Sequence, residues 1–217
     1  MKKGAANMTE NIKVLFHSSI RIQAEAGVVY ADPFKIEGEP KDADIILVTH
    51  DHYDHFSPED IGKISKEGTV LAVPVKMADK AGQVKDLVGS VETVEPGKSY
   101  EIKGLKIETV PAYNVLKPFH PKKAGWVGYI IVDNDTRIYI AGDTDVNEDI
   151  VNVSCDIALV PIGGTYTMDA KAAANLVNMI APELAIPTHY GSIVGTAKDA
   201  EKFVKLVDDP IKVEVQL

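Results

Sequence analysis

From Ile12 to Tyr30 apolar residues alternate with polar ones, or run together, in three short stretches, IKVLFH, SIRIQA and VVYAD. A period of two marks half-buried strands, so the chain is predicted to open with antiparallel sheet and tight turns. After the polar loop DPFKIEGEPKDAD, the run IILV is short, β-branched and wholly apolar, as in a strand covered on both faces. Ser57, Pro58, Glu59 and Asp60 follow as N-cap, first-turn proline and first-turn acids, which predicts a helix over roughly residues 58–66. TVLAV, an amphipathic MADKAGQV stretch, SVETV, SYEI and LKIETV continue a mixed pattern, and WVGYIIV and RIYIAG flank a hairpin turn at Asp133, Asn134 and Asp135. DIALVPI, ELAIP and IKVEV read as strands, with DAKAAANLVNMIA and AKDAEKFVKLV between them as helices. Helices outside and strands inside suit two packed sheets covered on both faces.

Length and composition narrow the class. A chain of 217 residues makes one domain, read as residues 11–217 behind a flexible N-terminus of residues 1–10. The hydrophobic share is 45% and the charged share 25%, which argues against disordered, collagen-like or coiled-coil chains. No apolar run reaches the roughly 18 residues of a membrane span, and MKKGAANMTEN leads into no signal-like segment, so the expected location is cytoplasmic, away from membranes. The single cysteine, Cys155, excludes an internal disulfide and a cysteine-cluster zinc site. A net charge of -9 speaks against nucleic acid as a partner.

The chemistry concentrates in THDHYDHF, which follows the buried strand. In extended backbone His50, His52 and Asp54 would share a face, and the turn toward Ser57 would bring His55 behind them. Imidazole and carboxylate ligands suit zinc first and manganese or iron with adjustment. Asp143 in IYIAGDTD and His189 in LAIPTHYG also end apolar strands, and Asp143 follows a glycine that permits close backbone approach. Strands of one sheet that stop at one edge bring their terminal side chains together, and two adjacent cations require a bridging carboxylate.

THDHYDHF, AGDTD and PTHYG, in that order, resemble the metallo-β-lactamase fold superfamily, whose signature is HxHxDH followed by a bridging Asp and a terminal His. FHSSIRI, DPF and PIGGTYTM resemble its compact branch, which holds ascorbate-6-phosphate lactonases and related metal-dependent hydrolase-like proteins. The resemblance implies an α/β fold, a four-layer αββα sandwich with two divalent metal ions at one edge. It assigns His50 and His52 to the first metal, Asp54, His55 and His189 to the second, and Asp143 to both. Relatives place a third first-site histidine where this chain has Asn114 in VPAYN; His120 in KPFHPKK is the favoured replacement, with the Asn114 carbonyl as the alternative. The resemblance also suggests that Asp32 and His17 stand behind the ligands. The glycines of GGTYTMD would let backbone approach the site, with Thr165 and Tyr166 touching substrate, while Thr167 or Asp169 caps the next helix.

Two cations sharing a water lower its pKa toward neutrality, so hydrolysis is the expected chemistry, with Asp54 accepting or relaying the proton. No GxSxG follows a strand, which leaves no serine-hydrolase reading. The expected enzyme is a metal-dependent hydrolase of a small anionic ester, lactone or phosphoester, with Lys117, Lys122 and Lys123 as sources of positive charge. A phosphodiesterase acting on nucleic acid or phospholipid headgroups and a non-hydrolytic di-metal protein stay open as alternatives. A homo-oligomer is equally open.

Overall fold

The first strands form where the alternation places them. In the computed structural model, which describes residues 9–217, a 3-10 turn (Thr9–Asn11) leads into β1 (Ile12–Phe16), β2 (Ser19–Ala24) and β3 (Gly27–Ala31), paired antiparallel. The flexible N-terminus expected for residues 1–10 lies outside the described residues apart from Thr9 and Glu10. β4 (Ala43–Leu47), β5 (Ser65–Pro74) and β6 (Ser90–Val94) add in parallel and complete a six-stranded sheet.

The second sheet repeats this plan. β7 (Ser99–Ile102), β8 (Leu105–Pro111), β9 (Val127–Asp133) and β10 (Thr136–Ile140) are antiparallel, and β11 (Ile157–Pro161), β12 (Leu184–Thr188) and β13 (Lys212–Val213) continue in parallel. The hairpin between β9 and β10 turns at Asn134 and Asp135, both in the left-handed region at φ 48° and 64°, as a two-residue turn of matching twist requires.

Three apolar layers hold the sheets. Ile20, Ile22, Val29, Ile45 and Leu47 of the first sheet meet Ile107, Tyr129, Ile131, Ile138, Ile140 and Leu159 of the second between the sheets. The opposite face of β4, with Ile46 and Val48, packs under α1 (Pro58–Ile64) and α2 (Ala78–Ala81). α3 (Ala170–Ile180) and α4 (Ala197–Leu206) cover the other outer face, α3 burying Ala170, Ala173, Ala174, Leu176 and Val177 at helical spacing. The expected αββα order is therefore present, and β4 is covered on both faces as its unbroken apolar run predicts.

Local departures have local causes. The first helix ends at Ile64, short of residue 66, because the Ser65 N–H and hydroxyl both bond to Ile61 O and the chain then enters β5. MADKAGQV forms one α-turn flanked by 3-10 turns rather than a longer helix. Of IKVEV only Lys212 and Val213 pair as strand; Gln216 crosses to β1, where its carboxamide accepts from Val14 N at 2.7 Å and donates to Ile12 O at 3.1 Å.

Asp60 fixes the loop that carries Asp32. Its buried carboxylate accepts from Lys35 N and Ile36 N at 3.0 Å each, from the Ser57 hydroxyl at 2.7 Å and from Lys63 Nζ at 3.0 Å. Burial alone would raise its pKa, but these donors outweigh burial and lower it. A carboxyl depressed in the folded state stabilises above the ordinary aspartate pKa and stops doing so as pH falls through the depressed value. Asp60→Ala is expected to cost about 3 kcal/mol in urea unfolding near neutral pH and to flatten the loss of stability below about pH 4.

Candidate metal centre

The site forms at the carboxyl ends of parallel strands, where side chains of an open sheet can converge. Asp32 follows β3, the loop from Thr49 to Phe56 follows β4, Asp143 follows β10 and His189 directly follows β12. His17 sits in the β1–β2 turn and His120 in the loop between β8 and β9. Both sheets contribute, contrary to the expected convergence from one sheet. The sheets face each other across the core, so strand ends from each open onto a common rim. Val127 N donates to Thr49 O at 3.1 Å and the Tyr129 hydroxyl to Val48 O at 2.8 Å, so the second sheet holds the histidine loop of the first.

Asp143 occupies the centre. Its Oδ2 lies 3.0 Å from His189 Nε2, 3.2 Å from His120 Nε2 and 3.8 Å from His50 Nε2, and its Oδ1 lies 3.4 Å from His55 Nε2. Two overlapping donor groups result: His50, His52, His120 and Asp143 on one side, and His55, Asp143 and His189 on the other. Asp54 groups with His17 and His189, its Oδ2 lying 3.5 Å from His17 Nε2 and 3.7 Å from His55 Nε2. The expected shared face for His50, His52 and Asp54 is absent. His55 N and Phe56 N both bond back to His52 O, and this turn swings Asp54 away from the two histidines.

The outer nitrogens of His50, His55 and His120 are tied to partners that aim the inner ones. Asp32, 1% exposed, accepts from Thr49 N at 2.8 Å, the Thr49 hydroxyl at 2.6 Å and His55 Nδ1 at 2.7 Å. The Thr49 oxygen also lies 2.9 Å from His50 Nδ1. Asn114 does not face the donor groups as a ligand. Its Oδ1 accepts from His120 N and lies 3.0 Å from His120 Nδ1, while its amide donates to Tyr166 O. With protons on the Nδ1 atoms of His50, His55 and His120, their Nε2 lone pairs all face inward.

His17 Nδ1 lies 3.0 Å from the Ser192 hydroxyl, and its ring packs 3.9 Å from that of His189. His17, Asp32 and His189 all hold positive φ, at 54°, 46° and 58°, strained backbone that collects at functional sites. Gly163 is required by close approach, because a Cβ there would stand 2.4 Å from His189 O. Trp126 packs on the first donor group, its ring 5.1 Å from His50, 5.1 Å from His52 and 5.5 Å from His120. Thr49, Ser192 and Trp126 carry no signal in the sequence, since each acts through neighbours distant in the chain or through a residue type common everywhere.

The electrostatics are those of a site prepared for positive charge. Burial, then the charge of His55, lowers the His50 pKa well below its usual value. Burial also acts to lower His55, but the charges of Asp143 and Asp32 and the Asp32 hydrogen bond lift it to about 9. Burial would raise Asp143, yet the neighbouring His189 and His55 charges, with the close approach of the His120 and His189 imidazoles, hold it well below the carboxylate range. Despite this crowding, Nε2 of His17, His55 and His120 and Oδ1 of Asp143 are buried without an aligned hydrogen-bond partner. Buried polar atoms without partners are rare. Their type, number and convergence fit metal cations.

Beside the donors lies a cavity of about 270 Å³ reached by Asp54, Asp143, Tyr53, Phe119, Tyr166 and Ile193. Tyr166 is thus at the site, whereas Thr165 is exposed and outside the lining. Asp169 caps α3, accepting from Ala172 N. The loop lysines are engaged elsewhere: Lys117 with Asp145 at 2.6 Å, and Lys122 with Asp149 at 2.9 Å and Glu148 at 3.1 Å. Neither these nor Lys123 line the cavity.

Comparison with known proteins identifies the family of this fold. The family profile described as the beta-lactamase superfamily domain matches residues 11–189. A UPF0173 metal-dependent hydrolase of Pyrococcus abyssi is 36% identical, aligned over 94% of this chain and 95% of its own, and one of Methanopyrus kandleri is 32% identical over 90% of each. Among solved structures, a metal-dependent hydrolase from Parabacteroides distasonis superposes with a TM-score of 0.81 at 29% identity, covering 95% of this chain and 92% of its own. A Zn-dependent hydrolase of the metallo-beta-lactamase superfamily from Thermotoga maritima shares the fold at a TM-score of 0.61 and 20% identity, covering 94% and 96%. The chain therefore belongs to the β-lactamase superfamily and, within it, to the UPF0173 metal-dependent hydrolases.

Proposed function

We propose that the chain is a hydrolase that uses two divalent cations, zinc foremost, on a small ester, lactone or phosphoester. His50, His52 and His120 would hold one cation, Asp54, His55 and His189 the other, and Asp143 both. When bound, such a pair lowers the pKa of a shared water toward neutrality and polarises the substrate oxygen. The observation that carries this reading is the pair of buried, unpartnered Nε2 atoms of His55 and His120 beside the two oxygens of Asp143.

The chain's own groups do the rest. Asp32, Thr49 and Asn114 orient the imidazoles, so the inner nitrogens need no rearrangement to bind. Asp54 reaches both the donor groups and the open cavity and, unlike Asp143, is not needed by both sides, so its Oδ2 takes the proton released in the reaction and returns it to the leaving group. His17, fixed by Ser192, stands behind that oxygen and keeps it oriented.

Metal analysis with an ester, lactone and phosphodiester panel tests the proposal. Purified protein is expected to carry about two metal equivalents, to lose turnover on chelation and to regain it with zinc. His120→Ala is expected to retain about half the metal, because only the first group loses a donor. A chain that takes up no transition metal, or a metal-replete chain that turns over no member of the panel, would overturn it.

A further inference from the structure

The walls of the cavity carry information that the donor groups do not. Each bulky wall residue is supplied by a segment that also supplies or supports a candidate ligand. Tyr53 lies between His52 and Asp54, Phe119 precedes His120, Ile193 follows His189 by four residues, and Tyr166 is the residue whose carbonyl anchors Asn114. Holding the metals therefore also holds the walls.

These walls are apolar and aromatic. Phe119 meets Tyr166 edge to face at 4.8 Å and 84°, and Tyr53 meets Phe34 at 5.8 Å and 80°, with Phe16 behind Phe34 at 5.9 Å. Tyr53, Phe119 and Ile193 remain 65%, 41% and 39% exposed and stand together on one cavity wall, and it is such clustering of exposed apolar groups that marks a binding surface. Apart from the candidate ligands, the only polar side-chain groups on the wall among the described residues are the two phenols. Among the described residues no lysine or arginine lines the cavity, and Lys117 and Lys122 on the adjoining loop are already paired with carboxylates. At about 270 Å³ the space holds roughly nine waters, which limits the guest to about one ring with a short linker.

We propose that the substrate is neutral and carries a single apolar ring, or a branched alkyl group of similar size, next to the scissile ester or lactone carbonyl. This rests on the hydrolase reading above and narrows its substrate class away from the anionic one expected from the sequence. In the reaction the water oxygen bonds to the carbonyl carbon, the acyl C–O bond breaks, and the leaving oxygen takes a proton, giving a carboxylic acid and an alcohol. The aromatic walls hold the ring so that the carbonyl faces Asp143 and Asp54.

Binding and turnover are measured separately on the metal-loaded full chain. Phenylacetamide, acetamide and succinamate are titrated calorimetrically as non-reacting amides; methyl phenylacetate, methyl acetate and monomethyl succinate are assayed by proton release. Phenylacetamide is expected to bind about tenfold more tightly than either competitor, and methyl phenylacetate to lead in kcat/KM by a similar factor. Phe119→Ala is expected to lower the phenylacetamide affinity about fivefold, and Ile193→Lys to shift preference toward succinamate. Succinamate binding as tightly as phenylacetamide overturns the proposal, whatever the turnover. Selective phenylacetamide binding without hydrolysis of any ester supports the cavity assignment and overturns the hydrolase reading alone.

Discussion

Asp143→Ala is expected to leave a folded chain that holds no metal and hydrolyses nothing above the buffer rate. The carboxylate stands within 3.0 to 3.8 Å of four imidazole nitrogens, and it is the only group common to both main donor sets. Its loss removes a donor from each side at once, so the effect must exceed the roughly 10–100-fold that follows loss of a partner behind a ligand. The strand before it is untouched, since Ile138 and Ile140 pack in the core between the sheets. Wild-type protein, with metal free at about 1,000 times its Kd, should lose about 4 kcal/mol of stability on chelation, whereas the variant should not respond. Metal analysis with thermal unfolding, with and without chelator, reads both effects. A metal-replete, active Asp143→Ala protein would refute the shared-carboxylate arrangement.

Asp32→Ala is expected to have the next largest effect, although Asp32 touches no cavity. It strands three buried donors: the Thr49 amide, the Thr49 hydroxyl and the His55 ring. Removing one member of a buried charged pair costs about 3–5 kcal/mol, and metal affinity should fall about 10–100-fold as the His55 ring loses its orientation. Asp32→Asn keeps an acceptor for the Thr49 amide but turns a donor toward two others. It should regain part of the stability and little of the affinity. Urea unfolding and competitive metal titration separate the two, and an Asp32→Asn protein with unchanged affinity would remove the orienting role.

Much of this was legible in the sequence, for identifiable reasons. The unbroken apolar run before His50 reported a strand covered on both faces, and the Ser57-Pro58 cap located the helix behind it. Histidines and aspartates at strand ends are few enough for their order along the chain to point to one site. The contents of the site were harder to read. Whether Asn114 would ligate or support depended on a loop that curls so that its carboxamide meets His120. Which histidine Asp32 would support depended on a contact across 23 residues. The sequence shows the charges of Lys117 and Lys122 but not their pairing in space with Asp145 and Asp149. The aromatic wall is dispersed over four segments, so no window of sequence contains it.

Trp126, the sole tryptophan, lies against three imidazoles of one donor group and not against the other. Its indole is therefore a built-in optical reporter for half of the centre. A titration followed by emission should respond more strongly to filling of the His120 side than of the His189 side, which would give the order of loading without any label.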